Sequence, residues 1–508
     1  MKNFLALCLI LALWGCKSTP QSTTTTPMKL TYPETRKVEQ VDTYFGTEVA
    51  DPYRWLEVDT AAEVEDWVQT QNQLTQSYVK QIPFRDQIRT RLEELFNYTK
   101  VSAPIKVGEY YLFYQNDGLQ NQAILYRRKG LEGEPVVFLD PNQASSDGTV
   151  SMGIAGISKD DRYLAISISE AGSDWQSFKV MEVATGETLA DELKWIKFSG
   201  ASWLKDGFFY SRYPQPEEGT ELSGDLQSQS IYYHKVGTSQ EEDQLIFTDS
   251  QNARSIVSAA VTEDEQFVLL YKRQGSSSEN EIWYRPADSQ EDFQPLFEGF
   301  DAQYMIVDHW DGKFYVRTNK DAPRYRLITL PDNDPSADWQ EIIPQTEDVL
   351  NGISRGGGKF FANYMQDATT RIYQYDYSGQ REREIELPSL GSAGFRSGKR
   401  DETSFFYTFT SYVYPTSIYQ YDLETGESTL YSQPKLKFDP QDFTTEQVFF
   451  SSKDGTQVPM FLVYKKGLVK DGKRPTYLTS YGGFNISLTP GFNPLSVLLL
   501  ENGGIFAQ

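Results

Sequence analysis

Gly352-Ile353-Ser354-Arg355-Gly356 has the G-x-S-x-G spacing of a nucleophile elbow, in which a strained turn between strand and helix presents a serine. Such a serine needs a base within hydrogen-bond reach. The chain has two histidines, His234 in IYYHKV and His309 in VDHWDG. The surroundings fit neither role. Ser354 is followed by GGKFFANYM, a strand pattern rather than a helix, and nothing brings either histidine to it. Ser354 is therefore expected in a turn of a β-rich repeat, and both histidines in structural roles, as isolated side chains without a partner. No cysteine or histidine pair has metal-ligand spacing. Asp332-Asn333-Asp334 reads as a solvated turn rather than a calcium loop. Gly356-Gly357-Gly358 opens no helix, so it is not a phosphate-binding loop. No metal and no cofactor is expected.

The stretch richest in chemistry is YLTSYGGFNIS, Tyr477 to Ser487. Tyr477 to Tyr481 reads as a short buried strand and Gly482-Gly483 as a tight loop; loops at the ends of such strands hold active sites. The Tyr481 hydroxyl can donate to a developing oxyanion, a contact typically worth about 3–4 kcal/mol in acyl transfer. Phe484 can wall a small ring. Spacing alone fits a glycine turn with two packed aromatics at least as well.

The elements that must position these residues fall into blocks. Residues 1–16 look like a lipoprotein-type signal: Lys2, an apolar run from Phe4 to Trp14, then Cys16 as the expected lipidated first residue. A plain secretory signal is the alternative. Residues 17–28, KSTPQSTTTTPM, read as a tether. The cysteines are Cys8 and Cys16 alone, so no internal disulfide is expected after processing. A net charge of -23 would repel phosphate backbones, which argues against nucleic acid. Residues 29–98 look helical, with Thr60-x-x-Glu63 as a capping box.

From residue 99 two sub-patterns alternate. One is a turn before an apolar strand, as in SKDDRYLAISIS and TEDEQFVLLYKR. The other is roughly Ile-Tyr-x-Tyr before a turn, as in IYQYDYSGQ and IYQYDLETGE. Each occurs seven times at a period of about 45–58 residues, the texture of four-stranded propeller blades. The pattern predicts a seven-bladed β-propeller over 99–438. Residues 439–508 then read as hairpin, strand, glycine loop, helix (Leu495 to Leu500, stopped by Asn502-Gly503-Gly504) and strand, the start of an α/β domain.

With these motifs in hand, the chain resembles the prolyl oligopeptidase family of serine peptidases from about Tyr32 onward. DPYRWLE (Asp51 to Glu57), GLQNQ (Gly118 to Gln122), FLDPN (Phe138 to Asn142), GSDW (Gly172 to Trp175), KFS (Lys197 to Ser199), SKDGTQVPMFLVYKKG and above all YGGFNIS (Tyr481 to Ser487) carry the likeness. It implies a seven-bladed propeller over an α/β-hydrolase domain built from both chain ends, here incomplete, with N-terminal helices. It implies cleavage of short peptides after proline. By the same match Tyr481 corresponds to the oxyanion-binding tyrosine, Phe484 to a wall of the proline pocket, and Phe198 to a propeller residue lining the neighbouring subsite. The family reads Tyr-Gly-Tyr-Gly-Gly where this chain has Thr479-Ser480-Tyr481-Gly482-Gly483. The family's Ser, Asp and His fall downstream of Gln508. The expectation is thus a C-terminally truncated fragment, inactive by itself, with Leu498, Leu499, Leu500, Ile505 and Phe506 left uncovered. The expected setting is a monomer, exported and anchored through lipid in the periplasm or at the outer membrane of a bacterium, acting on short proline-containing peptides. The competing class is a non-enzymatic exported propeller lipoprotein that binds peptides or glycans, which a stop codon directly after Gln508 would favour.

Overall fold

The computed structural model describes residues 30–508, except Asp59, Glu218, Leu222, Ser223 and Asn485. The expected signal and tether, with Cys16, lie outside the described residues. The chain divides into two compact units, one up to Gln87 and one from Ile88 to Gln508.

The first unit is not helical throughout. Val41–Tyr44 and Thr47–Ala50 pair as an antiparallel hairpin. Its turn places Phe45 and Gly46 at φ 50° and 84°, the twist that a two-residue hairpin loop needs. All but one of its strand residues are exposed, so no apolar alternation betrayed it. Helix α1 runs Ala62–Val79. The capping box does not form. Ala61 is the N-cap, without a side-chain bond, and Glu63 is drawn instead to Arg36 at 2.7 Å.

Helix α2 (Arg85–Phe96), most of which belongs to the second unit, leads into a β-propeller. Four-stranded antiparallel sheets span 255–297, 304–343, 349–385 and 392–432, and a five-stranded sheet spans 100–139. Residues 151–196 and 202–248 supply four strands each to one eight-stranded sheet. Their link is the single pair Ile196↔Arg212, braced by Ala201 N–H donating to Ala155 O at 3.0 Å. Gly156 lies at this joint, where an added Cβ would come 2.0 Å from Ala201 O.

Apolar layers fill successive sheet interfaces. Leu112 and Leu125 meet Leu164 and Ile166; Phe178 meets Phe208; Phe209 meets Val257; Ile282 meets Phe314; Leu327 meets Phe360; Phe361 meets Phe405. The first and last sheets meet differently. The Arg128 guanidinium lies 5.1 Å from the Phe113 ring and 5.8 Å from the Tyr431 ring, a cation–π joint.

Ser354 lies not in a turn but in the strand Val349–Gly356, because the turn falls later, at Gly357 and Gly358 with positive φ. The histidines are not isolated either. His234 is fully buried, with Nδ1 2.7 Å from Asp243 Oδ1 and Nε2 2.9 Å from Asp191 Oδ1. His309 repeats the arrangement with Asp264 (2.7 Å) and Asp332 (3.0 Å). Asp332 is therefore committed to a histidine rather than simply solvated. A carboxylate can only accept, so both ring nitrogens of His234 must donate, and its ring is held as imidazolium.

After the propeller, Phe443–Ser451 and Gln457–Lys465 form a hairpin. Ile505–Ala507 runs antiparallel to Gln457–Lys465 and parallel to Thr476–Leu478. Helix α3, Pro494–Glu501, makes the crossover, capped by Asn493 accepting from Leu495 N–H at 2.9 Å. Two expectations change. The strand before the glycine loop ends at Leu478 and is exposed, Tyr477 by 59% and Leu478 by 66%. Leu500 and Phe506 are buried, packed with Leu95, Tyr412, Phe461 and Val497, because α3 folds back onto its own sheet and the last propeller sheet; Leu498, Leu499 and Ile505 are half-buried. Arg91 of α2 locks this arrangement, reaching Glu501 through Nε at 2.9 Å and NH2 at 2.6 Å, and Lys437 O at 3.0 Å. Arg91→Met should cost about 1 kcal/mol. Amide exchange across 494–501 should speed up accordingly; unchanged protection would remove Arg91 from this role.

Candidate functional site

Tyr481 follows the C-terminal end of the parallel strand Thr476–Leu478, where open α/β sheets place ligands. Thr479 N–H donates to Ala507 O at 2.9 Å, which keeps the chain aligned with its neighbour as it leaves the sheet. The Tyr481 ring then folds across Gly483: a Cβ there would lie 3.3 Å from the hydroxyl and 3.4 Å from the ring. Glycine thus lets the phenol lie against the backbone while Tyr481 stays half exposed. Phe484 sits at φ 54°, a left-handed conformation costing a non-glycine residue about 1–2 kcal/mol. Its ring is 79% exposed. The turn closes through Ile486 N–H to Gly483 O at 3.1 Å.

The loop beyond is tied to the propeller. Ser392 Oγ donates to Pro490 O at 2.7 Å, and the Gln508 amide reaches Tyr412 Oη at 2.9 Å and Thr489 O at 3.3 Å. Phe492 stacks on Phe438 with centroids 6.0 Å apart.

Phe198 stands on a separate element, just after the strand Thr188–Ile196, at φ 56° and half exposed. Trp195, also left-handed at φ 61°, packs edge-on to Trp175, which packs edge-on to Tyr213. The Lys197 ammonium lies 4.7 Å from the Trp175 ring and 5.9 Å from that of Phe198. Buried Gln229 donates to Lys197 O at 2.7 Å and accepts from Val257 N–H at 2.9 Å, fixing the corner to the next sheet. Sequence reasoning missed Trp195, Tyr213 and Gln229. In the sequence Trp175 stands out only as the end of GSDW.

Tyr481 and Phe484 share one turn, and Phe198 occupies its own. The remaining candidates stay apart. Ser354 Oγ donates to Phe395 O at 2.8 Å, and both histidines are held by their carboxylates. Other motif residues are structural. Gln122 N–H donates to Asn142 Oδ1, and Asn142 Nδ2 returns a bond to Gln122 O, both at 3.0 Å, so GLQNQ and FLDPN lock one another.

Residues 33–434 match the family model described as prolyl oligopeptidase, N-terminal beta-propeller domain. Among curated proteins, the prolyl endopeptidase of Elizabethkingia meningoseptica is 45% identical over 480 residues, covering 94% of this chain and 68% of that protein. The dual function macrocyclase-peptidase POPB of Galerina marginata is 33% identical, with 94% and 70% covered. A structure from work on two prolyl endopeptidases superposes with a TM-score of 0.88 at 33% identity, covering 94% of this chain and 71% of that one. Prolyl oligopeptidase B from Galerina marginata, bound to a 35mer substrate, gives 0.87 at 31%, with 94% and 71% covered.

Proposed function

Since the chain belongs to the prolyl oligopeptidase family of serine peptidases, we propose that it serves the cleavage of short peptides after proline. Tyr481 is the oxyanion donor, Phe484 a wall of the proline pocket and Phe198 a wall of the neighbouring subsite. The observation that carries this reading is the turn itself: a tyrosine folded over Gly483, followed by an exposed, left-handed Phe484, at the end of a parallel strand. A planar apolar wall beside a hydroxyl donor suits a pyrrolidine ring next to a scissile carbonyl.

The finer architecture belongs to the same proposal. Seven blades over 99–438 are supported by fourteen middle strands in seven successive units. Helices from 29–98 and the α/β segment 439–508 form the hydrolase side, supported by the βαβ crossover through α3. Cys16 carries lipid after export to the periplasm or outer membrane, and the protein acts as a monomer.

On this reading the chain recognises substrate, and among the described residues the elbow-like serine and both histidines are already engaged and are not offered as nucleophile or base. The full chain should therefore show no turnover of a chromogenic Gly-Pro substrate, with or without Ser354→Ala. Turnover that persists through purification and disappears in Ser354→Ala would overturn the assignment of the site.

A further inference from the structure

At one end of the propeller, the turns joining the first two strands of several sheets converge on a cavity of about 450 Å³. Five bases line it, Lys106, Lys159, Arg355, Arg396 and Lys399, against four acids. Three of the bases are occupied. Arg355 pairs with Glu263 at 2.7 Å and with buried Asp308 at 3.3 Å. Lys399 pairs with Asp161 at 2.5 Å. Lys159 donates to Thr262 O at 3.3 Å and lies 4.0 Å from Glu263.

Lys106, in the strand Ile105–Val107, and Arg396, just after Ser392–Phe395, have no acidic partner within 4 Å among the described residues. Arg396 is open to the cavity, yet enough protein surrounds it that burial holds its pKa below the usual guanidinium range. Burial raises Glu402 above its usual carboxylate range, while Lys106 and Lys399 act on it in the opposite sense. Lys106 and Arg396 line the cavity from the first and last sheets as cations without a carboxylate within 4 Å among the described residues, in a chain of net charge -23. A guanidinium partly enclosed by protein and without a carboxylate of its own gains most from an anion that accepts two of its N–H donors at once.

We infer that this cavity is a carboxylate-binding subsite, with Lys106 and Arg396 as its recognition groups. Resting on the peptidase reading, its natural occupant is the C-terminal carboxylate of a peptide. The interaction is charge-assisted and, in a partly enclosed space, weaker in high salt but not abolished by it.

Succinate tests the site, and peptides test the occupant. Titrated calorimetrically into the full chain, succinate should bind, and K106M/R396M should weaken it about tenfold or more, the loss expected for hydrogen bonds to a charged group. Neither side chain has a paired acid to orphan, so the double variant should keep the wild-type melting temperature, which separates lost binding from lost folding. A proline-containing peptide should bind more tightly as the free acid than as the C-terminal amide, and the variant should erase that difference. Absent succinate binding, or binding unchanged by the variant, overturns the site. Succinate binding that depends on both residues, with acid and amide binding equally, overturns the peptide terminus as occupant. If neither peptide form binds while succinate does, the subsite stands and the peptidase reading fails.

Discussion

Tyr481→Phe, made in a chain extended to carry the family's serine, aspartate and histidine, should lower kcat by about 10²–10³-fold and leave KM nearly unchanged. A donor aimed at an oxygen that becomes charged only in the transition state is worth about 2.7–4 kcal/mol, and little of that is felt in the ground state. The substitution removes one oxygen and keeps the ring that packs across Gly483, so the turn and Phe484 should hold their places. Steady-state kinetics on a Gly-Pro substrate provide the check. A rise in KM at constant kcat would make Tyr481 a binding residue instead.

His234→Leu should be among the most damaging single changes in the propeller. It leaves Asp191 and Asp243 facing each other across an apolar side chain, without the cation that pairs them. Removing one partner of a buried ion pair typically costs about 3–5 kcal/mol. Tyr210 Oη, 2.6 Å from Asp243 Oδ2, would then be the remaining donor on that carboxylate. The pH dependence gives an independent reading. Burial by itself would lower the His234 pKa, but hydrogen bonds to Asp191 and Asp243 raise it to about 9. A raised pKa means that the folded state holds the proton more tightly. The stabilisation is therefore complete below the unfolded value of about 6.5 and is lost as pH climbs through about 9, a change of roughly 3 kcal/mol. Urea midpoints measured from pH 6 to pH 10 should fall over that window in the wild type and much less in His234→Leu. Parallel curves would refute the imidazolium assignment.

How much of this was readable in the sequence depended on where each residue meets water. The second and third strands of each sheet, such as Phe267–Gln274 and Asn280–Pro286, lie in the packed layers and announce themselves by aromatic and branched side chains. First strands do not. Val349–Gly356 is half-buried along most of its length and carries two glycines, so its GISRG looked like a turn around a serine. Fourth strands such as Arg381–Ile385 are mostly exposed and charged, and they left no apolar signature. The acid partners of His234 lie 43 and 9 residues away in the chain, a separation that only sheet packing closes. At the candidate site the spacing of Tyr481 and Phe484 fits an ordinary glycine turn. The family likeness singled them out, and the left-handed backbone of Phe484 has no marker in residue type, since phenylalanine is an unexpected occupant of that region.

The joint at Ile196 and Arg212 also gives the ring an uneven stiffness. Between the two halves of the eight-stranded sheet the strands themselves pair, whereas other neighbours share only isolated backbone bonds, such as Leu350 N–H to Arg324 O at 3.0 Å, and the first and last sheets are pinned by a guanidinium between two rings. A ring braced in this way flexes like a split collar: the thin seam gapes first and the welded section moves as one plate. Phe198 rides on the welded section, two residues past the weld, so slow breathing of the propeller would carry this wall along as part of a rigid lever.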